Sequence, residues 1–100
     1  MYVGTLHARL LLRQSRTLKD KRQVARSILD RLRNSFNVSA MEVDHLDDPK
    51  QLVLGVAAVG MESESVSQTL QSIQNALRSH PVAEYAGGQV HVDRGGGVTE

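Results

Sequence analysis

The chain has 100 residues, 40% of them apolar, no cysteine and a formal net charge of +1 at pH 7. This is one small folded domain rather than two or a disordered chain, and a domain this size buries only roughly 60–65% of its unfolded surface. Disulfides and thiolate metal sites are excluded, no apolar run nears the ~18 residues of a membrane span, and the N-terminus has no signal-peptide pattern, so a cytoplasmic protein with no membrane partner is expected.

The net charge conceals its distribution. Residues 1–37 hold nine Lys/Arg against Asp20 and Asp30, a balance of +7, while residues 38–100 hold three against nine Asp/Glu, a balance of −6. Nine of the twelve cations are Arg, whose planar fork suits phosphate better than a point charge. The plain alternative is that the two halves neutralise one another across the fold.

Tyr2 to Arg13 alternates as a strand, with Leu6, Ala8, Leu10 and Leu12 on one face and Thr5, His7, Arg9 and Arg13 on the other. Gln14 to Arg16 turns the chain into a helix that Thr17 caps, with Asp20 reaching back as a shortened capping box. At about 100° per residue, Leu18, Ala25, Ile28, Leu29, Leu32 and Phe36 form an apolar arc. Lys19, Arg22, Arg26 and Arg33 fall within about 60° of one another beside it. Asn37 is placed to close the helix in the left-handed conformation.

Val38 to Leu46 and Gln51 to Gly60 read as strands joined by the turn Asp47-Asp48-Pro49, hence as an antiparallel hairpin. The second is apolar at both parities, the pattern of a central or doubly buried strand. Ser65 with Gln68 resembles a second capping box, followed by Val66, Leu70, Ile73 and Leu77 at helical spacing, with Pro81 beyond. Val82 to Asp93 gives a last strand, bent at Gly87-Gly88, with Val90 and Val92 inward. The domain is expected over 1–93, with 94–100 as a loose glycine-containing tail. The order β-α-β-β-α-β folds, with right-handed crossovers, into a ferredoxin-like α+β sandwich: a four-stranded antiparallel sheet with both helices on one face. That fold hosts many unrelated functions.

Several segments then carry a family resemblance. Residues Ser15 to Arg22, the run Arg31-Leu32-Arg33-Asn34-Ser35-Phe36-Asn37-Val38-Ser39, and Glu42-Val43-Asp44-His45-Leu46-Asp47 with Leu54-Gly55 resemble the motifs of the YlxP-like family of small bacterial proteins, over roughly residues 1–93. Pro49 stands where that family often has Trp. The resemblance implies a ferredoxin-like fold. Its gene neighbourhood, beside translation initiation and ribosome-binding factor A, implies a ribosome-associated role.

Three candidate surfaces follow. Arg16, Lys19, Lys21, Arg22, Arg26 and Arg33 are the expected contacts to phosphates of ribosomal or precursor RNA, or of a ribosomal subunit. The competing reading is a solvated helix face with pairs such as Arg26–Asp30. Base stacking of the kind common in RNA-binding sheets is not expected, since the only aromatic residues are Tyr2, Phe36 and Tyr85. Glu42, Asp44, His45 and Asp47 invite a metal or acid–base site. Strand alternation, however, separates Asp44 from His45, and these residues better suit hydrogen bonds at the strand end or a salt bridge to the basic helix. His7, His80 and His91 lack ligand spacing, and Gly95 to Gly97 lack the Lys and helix of a phosphate loop. No enzyme activity, cofactor or metal is therefore expected. Finally, Thr5, His7 and Arg9 could share an open sheet face with small apolar residues of strand 51–60 and pair two copies into a homodimer. The parity of that strand is not assignable from sequence alone.

Overall fold

The computed structural model describes residues 1–96. The elements are β1 (Tyr2–Leu11), α1 (Leu18–Ser35), β2 (Ser39–Asp44), β3 (Gln51–Gly60), α2 (Ser63–Arg78) and β4 (Glu84–Arg94). One sheet of order β2-β3-β1-β4 results, every neighbour antiparallel. The ferredoxin-like expectation holds. β1 and β3 are the inner strands, which is why β3 tolerates apolar residues at both parities.

Register sets the two faces. Leu6, Ala8 and Leu10 stand opposite Val56, Leu54 and Leu52, and all six are buried in one cluster with Ala25, Ile28 and Leu32 of α1 and Val66, Leu70, Ile73 and Leu77 of α2. Both helices therefore cover the same face. Leu29 and Phe36 pack partly buried against it, and Leu18, expected in the apolar arc, is only half-buried and lies outside it. Gly4, on the helix side, lets α2 press close: an added Cβ would lie 2.8 Å from Leu70 Cδ1.

Local chemistry corrects several boundaries. α1 ends at a cap residue, Phe36, whose backbone is extended, so Asn37 does not close the helix; among the described residues the one non-glycine with positive φ is His45, at 53°. α2 starts at Ser63, capped by Glu62 with no side-chain bond, so Ser65 lies inside the first turn and its hydroxyl donates to Glu62 O. The expected bend in β4 is a bulge: Arg9 faces Gly87 and Leu10 faces Tyr85, leaving Ala86 unpaired. Gly87, at φ 153°, takes a conformation that side chains disfavour. Val92 packs on the core, but Val90 is 42% exposed because β4 is an edge strand. β4 runs through Arg94, which is strand rather than tail. The Gly95 amide donates to Met1 O at 2.8 Å, and residues 97–100 of the expected tail lie outside the described residues.

Candidate nucleic-acid interface

Thr17 starts α1 as expected. Its hydroxyl accepts from the Asp20 amide at 3.1 Å, and Asp20 Oδ2 accepts from the amides of Arg16 and Thr17 at 2.9 and 3.1 Å. Those backbone donors, Arg16 first, hold the Asp20 carboxyl below its ordinary range.

Lys21, expected on the RNA-facing side, is buried, with 1% of its side chain exposed. Its ammonium donates to the carbonyls of His45 at 2.8 Å and Leu46 at 3.1 Å, and lies 2.8 Å from Glu42 Oε1. The contact with Glu42 is ionic rather than an aligned hydrogen bond, since Glu42 Oε1 is buried without a hydrogen-bond partner among the described residues. The physical reason is angular: Lys21 falls between Ile28 and Leu32 on the helix, inside the apolar arc. It cannot reach a phosphate from there. Its work is to bolt α1 to the end of β2.

The hairpin is shaped to receive it. β2 stops at Asp44, and His45 adopts the left-handed conformation, tolerated by His better than by branched residues. The Asp44 carboxylate accepts from the His45 amide at 2.7 Å, and the Asp48 amide closes the turn on His45 O at 3.0 Å. Because the chain leaves the strand at His45, alternation fails there, and His45 Nδ1 comes to 3.6 Å from Asp44 Oδ1 instead of pointing away. Glu42 does form the salt bridge to the basic helix. Among the described residues no group of three or more His, Asp or Glu gathers as metal ligands.

The remaining cations separate into two kinds. Arg33 is half-exposed and partly engaged: Nη2 donates to Ala40 O, and Nη1 lies 3.8 Å from Asp30. Asp30 thus pairs with Arg33 rather than with Arg26. Arg16, Lys19, Arg22 and Arg26 are exposed, and among the described residues none has a carboxylate within ion-pair distance. Mutual neutralisation of the halves accounts for Lys21–Glu42 and Arg13–Glu84, the latter at 2.6 Å, and among the described residues leaves these four without a carboxylate, as it does Arg31 on another side of α1.

On the opposite side of the sheet, Thr5 and His7 stand across from Ala57 and Gly55, with Ser39 and Met41 continuing the rows on β2. Small apolar residues of β3 thus do share the open face with Thr5, His7 and Arg9. Met41, Val43 and Val59 are 60%, 44% and 60% exposed there. A separate cleft of about 580 Å³ opens at the other edge of the sheet, between the end of β1 and the turn joining α2 to β4.

These features are those of a ferredoxin-like α+β domain carrying a cationic helix. Over 99% of this chain and 92% of the other, it is similar to a de novo designed protein with ferredoxin fold, at a TM-score of 0.53 and 13% identity. The chain belongs to the family described as protein of unknown function (DUF503), whose model matches residues 3–89. It is 30% identical over 82 residues to the uncharacterized protein YlxP of Bacillus subtilis (strain 168), covering 82% of this chain and 89% of that protein. No helix is long and apolar enough to cross a membrane among the described residues.

Proposed function

We propose that the protein is a non-enzymatic accessory factor that binds ribosomal or precursor RNA through the exposed face of α1. The observation that carries this reading is the set Arg16, Lys19, Arg22 and Arg26: four solvent-facing cations, none with a carboxylate partner among the described residues, three on α1 and Arg16 just before its cap, with the helix anchored from behind by Lys21. A helix needs charge to be solvated, but it does not need unpaired charge of one sign. Arg33 adds a fifth cation if it releases Ala40 O. Binding would follow backbone and shape with little base preference.

The test is binding to ribosomal RNA and co-sedimentation with ribosomal particles at graded salt. With four to five phosphates engaged, log affinity falls against log salt with a slope of about −3 to −4.5. Arg22→Glu with Arg26→Glu weakens binding to all RNA sequences alike and leaves the fold intact, because both side chains are exposed. Wild-type binding by that double variant would reduce the stripe to a solvated face.

A second reading is supported by the sheet register. Met41, Val43 and Val59 expose apolar surface on the open face beside Ala57, as a homodimer interface would. On this reading Met41→Asp with Val59→Asp turns a dimer into a monomer in sedimentation equilibrium. A wild-type protein that is monomeric at millimolar concentration removes it.

A further inference from the structure

The cleft between the end of β1 and the α2–β4 turn is used by neither reading. It is lined by apolar Leu11, Val82 and Ala83, by the guanidinium groups of Arg13 and Arg78, and by the Glu84 carboxylate that holds Arg13. Each Arg is held in place but not used up. Arg13 gives Nε to Glu84 at 2.6 Å and makes no side-chain hydrogen bond through its terminal nitrogens among the described residues. Arg78 lies over the Tyr85 ring, 4.9 Å from its centroid, and has one long bond, 3.4 Å, to Asn75. The Tyr85 hydroxyl is fixed by Gln74 at 2.7 Å, so the ring beneath the guanidinium is anchored.

The turn that forms the far wall is also braced. His80 Nδ1 accepts from the amides of Val82 at 3.1 Å and Ala83 at 3.0 Å. An acceptor at Nδ1 leaves the proton on Nε2, so the ring is neutral and still a donor. Burial and then Arg31 lower its affinity for a second proton. The cleft thus has a planar cation backed by an aromatic ring, a second guanidinium held by Glu84 through Nε with its terminal nitrogens left over, and apolar side chains between them. About 580 Å³ is far more than a phosphate ion fills and suits a nucleotide-sized ligand.

We infer that this cleft binds one unstacked nucleotide, its base lying on the Arg78–Tyr85 stack and its phosphate meeting Arg13. Guanidinium planes stack on bases and guanidinium forks match phosphate oxygens. The nucleotide's source is a free nucleoside monophosphate or the end or loop of an RNA strand; the second source rests on the RNA reading above, whereas the site itself does not.

The experiment follows backbone amides by NMR in the full chain on titration with adenosine 5′-monophosphate, inorganic phosphate and a short single-stranded oligoribonucleotide. Shifts confined to residues 11–14 and 78–85 are expected with the mononucleotide, at least tenfold weaker with phosphate alone. Arg78→Ala and Arg78→Lys should both lose at least tenfold, since Lys keeps the charge but not the plane; Arg13→Ala should lose a similar factor. Equal affinity for phosphate, or full binding by Arg78→Lys, overturns the stacking role, and no shift in the cleft at millimolar nucleotide overturns the proposal. Tighter binding of the oligonucleotide at the same amides assigns the RNA source, and equal binding assigns the free nucleotide. Mononucleotide binding that survives in Arg22→Glu/Arg26→Glu separates this site from the helix stripe, so either can fail without the other.

Discussion

Removing one partner of a buried ion pair leaves the other uncompensated, at a cost of about 3–5 kcal/mol. Lys21→Met should lose that much in urea unfolding, because it strands Glu42 and also frees the carbonyls of His45 and Leu46. Adding Glu42→Leu should recover only part, since no apolar side chain donates to the two carbonyls; full recovery would mean that they find water. Lys21 was expected among the phosphate contacts, although a signal against that was present. It shares its helical angle with Ile28 and Leu32, and a cation inside an apolar arc points to a buried acceptor. What the sequence does not display is the acceptor, because two of the groups it meets are backbone carbonyls, exposed to it by a single left-handed residue, His45.

For the elements, helix ends were the hardest to read. Thr17 and Asp20 signal the start of α1 because both halves of the capping box are side chains; α2 begins at Ser63, behind a Glu62 cap with no side-chain bond, and the Ser65–Gln68 pattern is a false echo two residues inside. The α1 cap carries a pH dependence. The Asp20 carboxyl is held low by the amides of Arg16 and Thr17, so its contribution is present above the ordinary carboxylate range, about pH 4, and is lost as pH falls through its lowered value. Acid unfolding of Asp20→Asn should therefore be less steep than that of the wild type between about pH 5 and 2. Identical curves would mean that the cap is rebuilt by another acceptor. Thr17→Ala should cost about 1 kcal/mol at neutral pH.

Across the whole molecule, the layout of sheet and helices followed from spacing alone, since Val66, Leu70, Ile73 and Leu77 and the β1 alternation lie in one cluster. The open face was not readable, because its side of β3 depends on a register that β1 imposes. Leu32 and Ile73, one from each helix, are both buried in that cluster. Truncating either to Ala should cost about 2–5 kcal/mol, a large share of the roughly 5–15 kcal/mol usual for a chain of this length. Both helices should melt together in one transition by circular dichroism and amide exchange. Separate transitions would show two cooperative units instead of one.

Lys19 and Lys21 are chemically identical and two residues apart, yet one amine meets solvent and the other meets two carbonyls and a carboxylate. An acylating reagent can reach the second only when α1 lifts from the hairpin. The ratio of their labelling rates is therefore a clock for that local opening, with Lys19 as an internal standard on the same helix. A modification that landed on Lys21 during such an opening would remove its charge and keep the joint from closing again.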